Sequence, residues 1–233
     1  MAYHWTRVAF HWTRVAFALI APLLLASCFV TPGKFVSTLN INADRSFTYT
    51  YQGEVTVLDL GKEFAKGMAE AGKKDDDTGN SAQDDTAKME AVAAALRKET
   101  GYRSVEYKGA GLFLINYAIT SRLTHNFIYP FNIDAEILFP FIAIELRGKD
   151  QVRVKAPAFA DQGTEKRMGR MGKTKGKHAP MDGTFTLTTN AQILSQNTET
   201  GAQEEGGEQV MRWKATPLTK DAPMAILKLD SLP

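Results

Sequence analysis

The 233-residue chain holds one cysteine, four histidines and no marked excess of either charge. A single thiol excludes any disulfide within the chain, so stability has to come from a packed core and not from cross-links. His4 and His11 stand near the N-terminus, while His125 and His178 are far apart and have no cysteine partners. That scarcity excludes the usual Cys/His zinc sites, structural or catalytic, and no metal or cofactor is expected. Neither a Gly-x-Ser-x-Gly elbow nor a Cys-His pair is present, which removes the common nucleophile arrangements. Lys and Arg number 28 against 26 Asp and Glu, and Arg7 and Arg14 supply the difference, so residues 28–233 are balanced. A nucleic-acid binder would carry a strongly basic domain or stripe, and no nucleic-acid partner is expected. The longest apolar run, Val15 to Ala26, falls short of the roughly 20 residues a transmembrane helix needs.

That run is nevertheless informative. It follows Arg7 and Arg14, is preceded by no acid, and ends in Leu25-Ala26-Ser27-Cys28. Basic residues, a short apolar stretch and small residues before a cut are the layout of a secretory signal. Leu25-Ala26-Ser27-Cys28 resembles the lipobox of bacterial lipoproteins, in which the cysteine becomes the first mature residue. The resemblance implies a thioether-linked diacylglycerol on Cys28, cleavage of residues 1–27, and a lipidated tether over 28–35. Two acyl chains suffice for stable anchoring, so the membrane becomes the expected partner. Phe29 stands where an inner-membrane retention signal would place aspartate, which implies the periplasmic face of the outer membrane in preference to the inner membrane. The heptapeptide His4 to Phe10 recurs unchanged as His11 to Phe17, far too short to be a solenoid unit.

Downstream, Leu39 and Ile41, the turn-like 42–46, and then Phe47, Tyr49 and Tyr51 predict a β-hairpin. From Leu58 the period changes, and Leu60, Phe64 and Met68 predict a helix ending near Gly72. Residues 73–86 are polar and read as a flexible linker. A second helix is expected from Asp84 or Asp85, with Met89, Val92, Ala93 and Leu96 in one stripe, closed by Gly101. Strands follow around Val105 and Tyr107, along Phe113, Ile115, Tyr117 and Ile119, as a hairpin over 141–147 and 151–156, and over 184–189, 210–215 and 224–229. Together these predict one periplasmic α+β domain over 36–233: a curved antiparallel sheet of about seven strands, with two helices inserted after the first hairpin.

Thr31-Pro32-Gly33-Lys34-Phe35, Tyr107-Lys108-Gly109, Asp182-Gly183-Thr184-Phe185, Trp213-Lys214 and Ala222-Pro223-Met224 resemble segments of a group of uncharacterised alphaproteobacterial lipoproteins. The layout is more distantly similar to the LppM-like lipoprotein domain. That likeness implies an α+β fold and an association with lipid, and it brings no catalytic residues.

Two segments are candidate sites. Phe127, Tyr129, Phe131, Phe139 and Phe141 form the richest aromatic stretch, which reads either as plain core or as the wall of an apolar pocket suited to an acyl chain. The loop 163–178 holds Lys166, Arg167, Arg170, Lys173, Lys175 and Lys177 against Glu165. It reads either as a solvated loop or as a contact for anionic head groups, worth about 1 kcal/mol per cation. Gly172-Lys173-Thr174 lacks the earlier glycine of a phosphate-binding loop, and Asp75 to Asn80 lacks the spacing of a calcium loop. The expected function is therefore non-enzymatic: a lipid-anchored protein binding an amphipathic lipid, with an envelope assembly protein that docks onto a complex through the same aromatics as the alternative.

Overall fold

The structure is a computed structural model that describes residues 28–59, 81–130, 140–160 and 180–231. Strands β1 (Cys28–Ile41) and β2 (Ser46–Asp59) form the expected hairpin, with Ile41 opposite Phe47 and Cys28 opposite Asp59. Helix α1 (Ser81–Leu96) precedes β3 (Tyr102–Gly109) and β4 (Leu112–Arg122). Then come β5 (Phe127–Tyr129), β6 (Ile142–Arg147), β7 (Gln151–Lys155) and a 3-10 turn, Pro157–Phe159. The chain continues with β8 (Asp182–Thr189), β9 (Gln192–Gln196), β10 (Gln203–Glu205), β11 (Glu208–Ala215) and β12 (Met224–Lys228).

These strands make two sheets. The larger has seven in the order β10-β11-β8-β1-β2-β4-β3, and the smaller five in the order β5-β6-β7-β12-β9. All pairings are antiparallel except β1 with β8, where Phe35 lies beside Gly183 and Leu39 beside Leu187. Alternation puts Leu39, Ile41, Phe47, Tyr49, Tyr51, Phe113, Phe185 and Trp213 on the inner face of the larger sheet, and Ile142, Ile144, Val152, Val154, Ala225 and Leu227 on that of the smaller. The two faces meet through aromatic rings. Phe47 packs on Phe127 at 5.1 Å between centroids, Tyr49 on Tyr129 at 5.3 Å, and Phe35 on Phe159 of the 3-10 turn at 4.3 Å. The result is a sandwich with one continuous core.

The α+β expectation of a single curved sheet with two helices is thereby overturned. Among the described residues the chain is mostly strand, with one α-helix and two sheets. Alternation reports that a strand has one buried face. It does not report which sheet the strand joins, and the edge strands β5, β9 and β10 are too short for a clear pattern. Leu58 and Asp59, placed at the start of the first expected helix, end β2; the rest of that helix lies outside the described residues. The second expected helix is α1, which starts at Ser81 and so claims the last part of the 73–86 linker. Ala93 is fully buried, Met89 and Leu96 are half-buried against the core, and Val92 faces solvent. Residues 28–35, expected as a tether, are instead the first part of β1, and from Cys28 to Pro32 they pair with β2.

Candidate functional site

The sandwich is open along one side. There β3, an edge of the larger sheet, and β5, an edge of the smaller, border a half-open cleft of about 570 Å³. Lys98, Glu99 and Thr100 line it from the α1–β3 connection, Tyr102 from the start of β3, Tyr117 from β4, and His125 to Tyr129 from β5 and the segment entering it. The α1–β3 turn is set by Gly101, whose φ of +95° favours glycine, and whose carbonyl accepts from Ala118 N at 2.8 Å. Arg97 Nε donates to Val105 O at 2.7 Å and so covers one exposed carbonyl of the β3 edge.

The floor of the cleft is aromatic. Tyr117 and Tyr129 lie 4.2 Å apart between ring centroids, and Tyr102 packs edge-on to Tyr117 at 5.0 Å. Tyr49 and Tyr51 continue this cluster inward. Tyr102 also packs against Tyr129 at 6.3 Å between ring centroids, Tyr51 donates to Glu54 O at 2.8 Å, and Tyr49 contacts Ser37 Oγ at 3.2 Å. Burial pushes the phenols of Tyr49, Tyr51, Tyr102, Tyr117 and Tyr129 above their ordinary range, and Glu99 adds to the effect at Tyr102 and Tyr117. Such phenols remain protonated at physiological pH. They act as hydrogen-bond donors and apolar surface, and not as bases or nucleophiles. Lys98, Glu99, His125 and Asn126 provide a polar rim, and Ile128 is 41% exposed.

The aromatic candidates separate. Phe127 and Tyr129 line the cleft, although Tyr129 is only 2% exposed. Phe141 is wholly buried between Tyr51 and Phe159 and does not line this cleft. Phe131 and Phe139 fall in 131–139, outside the described residues, as do all six basic candidates, Lys166, Arg167, Arg170, Lys173, Lys175 and Lys177. Cys28 opens β1, and its side chain too is outside the described residues. Sequence reasoning missed Tyr102, Lys98, Glu99 and His125 as cleft residues. Their only signal is position: Tyr102 opens β3, and Lys98, Glu99 and His125 lie in the connections beside strand ends, which meet only through the fold. Among the described residues, no group of three or more His, Cys, Asp or Glu is arranged to hold a metal, and no helix is long and apolar enough to cross a membrane.

No family model matches the chain, and no curated protein matches it. Among solved structures, the NMR structure of the folded domain of Mycobacterium tuberculosis LppM is similar at a TM-score of 0.33 and 14% identity, over 87% of this chain and 92% of that one. At that score the likeness lends no weight to any reading of fold or activity.

Proposed function

We propose that this protein is a non-enzymatic envelope lipoprotein that holds an amphipathic lipid in the cleft between β3 and β5. One observation carries the reading: an aromatic floor of Tyr117, Phe127 and Tyr129, continued by Ile128, sits beside the polar rim of Lys98, Glu99, His125 and Asn126. An acyl chain would lie on the floor while its head group meets the rim. The cleft's volume falls within the roughly 300–1,000 Å³ of small-molecule sites. The signal-like N-terminus and Cys28 support anchoring by a diacylglycerol at the periplasmic face of the outer membrane.

Native mass spectrometry of the chain carrying Cys28→Ser, exported in its own host, tests the ligand. The expected result is a retained lipid-sized mass that disappears in Ile128→Glu, a change at a partly exposed residue that leaves the urea midpoint unchanged. A clean apo mass, or a lipid retained by Ile128→Glu, would sink the cleft reading. Cross-linking to an envelope protein through Ile128 would then favour an assembly role.

A further inference from the structure

We infer that the outer face of the five-stranded sheet docks onto an anionic lipid bilayer, a contact separate from both the acyl anchor and the cleft. The five strands of this sheet contain only five charged residues: Glu145, Arg147, Arg153, Lys155 and Lys228. Four are cations. Register places them all on the face away from the core: Glu145 is opposite Arg153, Arg147 opposite Gln151, and Gln151 opposite Lys228, while Lys155 lies between Ala143 and Met224. The single carboxylate of Glu145 serves two guanidiniums, accepting from Arg147 Nη2 at 2.6 Å and from Arg153 Nε at 2.9 Å. Among the described residues no ion pair involves Lys155 or Lys228.

The opposite face of the sandwich is different. There Lys214 Nζ lies 2.6 Å from Asp182, Arg212 pairs with Glu205, and Lys108 pairs with Glu106. These three pairs balance cation with carboxylate on one face, whereas the strands of the other carry four cations and one carboxylate, although residues 28–233 together are balanced. The cationic face is also partly apolar. Ile128 and Leu194 are 41% and 43% exposed, and Ile226 and Met224 are half-buried beside the cations. Cations mixed with aliphatic side chains on one surface suit the head-group layer of an anionic membrane, where lysine and arginine meet phosphates and aliphatic tips enter the interface. Ile128 borders both this face and the cleft, so docking here would bring the cleft mouth to the lipid surface.

Flotation with vesicles tests the contact. The full chain carrying Cys28→Ser is mixed with phosphatidylcholine vesicles, with and without about one-third phosphatidylglycerol, at low and high salt. Binding to the neutral vesicles measures any contribution of the N-terminal apolar run. The expected result is a preference for anionic vesicles that high salt abolishes. Lys155→Gln with Lys228→Gln should weaken it roughly thirty-fold, on the basis of about 1 kcal/mol per cation. Lys34→Gln with Lys214→Gln makes the same charge change on the other face and should alter binding less than about twofold. The basic segment 163–178 is common to both variants and cancels from the comparison. Equal losses in the two variants, or no preference for anionic vesicles, would overturn the proposal, whatever the occupancy of the cleft.

Discussion

Gly101 lies flat against the ring of Tyr117: a β-carbon at position 101 would stand 2.5 Å from Tyr117 Cε2, in a backbone with φ of +95°. The contact joins the end of α1 to the cleft floor. Gly101→Ala therefore meets both a steric and a conformational penalty, costing about 1–3 kcal/mol for overpacking and about 1 kcal/mol or more for the backbone. Urea unfolding checks the loss. Tyr117→Leu in the same background should recover part of it, because the two changes share one contact; simple additivity would show that the ring is not the obstacle.

Arg45 is 2% exposed, and among the described residues no ion pair involves it. Its Nε donates to Asp230 O and its Nη2 to Lys149 O, Nη1 faces Leu123 O, and Leu123 N donates back to Arg45 O at 2.8 Å. One guanidinium thus joins the β1–β2 turn to the end of β4, the β6–β7 turn and the C-terminal segment. Arg45→Leu leaves those carbonyls without their donor, at about 1–3 kcal/mol for each that stays buried. A total loss of about 3 kcal/mol or more in urea unfolding is expected. Arg45 also has φ of +74°, so Arg45→Gly should be less damaging than Arg45→Leu by roughly 1 kcal/mol. Equal losses would mean that the left-handed backbone carries no strain.

The buried tyrosines predict an alkaline limit. An unfolded phenol ionises near about 10, whereas burial raises Tyr49, Tyr51 and Tyr129 above that in the folded chain. Below that pH both states keep the protons and the stabilisation is fully present. Above it the unfolded chain releases protons that the folded chain retains, so stability falls as pH rises, by up to about 1.4 kcal/mol per pH unit for each such phenol. Urea midpoints should be flat from neutral pH to about 9 and then decline. Near-ultraviolet phenolate absorbance of the folded protein should stay below that of the full set of seven tyrosines and reach it only on unfolding; ionisation of the full set before unfolding would contradict the burial.

Much of the strand inventory is legible in the residues themselves. Phe47, Tyr49 and Tyr51 alternate with Thr48, Thr50 and Gln52, and Phe113, Ile115 and Tyr117 alternate with Leu114 and Asn116, because a strand in a two-layer structure buries one face. The 42–46 turn and Gly148, with φ of +65°, mark where hairpins reverse. The cleft was half legible: Phe127 and Tyr129 stand out as aromatics in a row, whereas Tyr102 and Lys98 look like any residues at the end of a strand or helix.

What the sequence determined by itself is local: which residues alternate, where the chain turns, the single cysteine at the end of an apolar run, and the lack of metal and nucleophile motifs. Only the tertiary structure decided that the strands divide into two sheets, that Phe141 is core while Tyr129 reaches a cleft, and that four cations from three strands share one face. Those outcomes depend on register and on which sheet each strand joins. Both are settled by contacts between residues far apart in the chain, such as Phe35 with Phe159 and Arg45 with Asp230, and no local pattern encodes such distant partners.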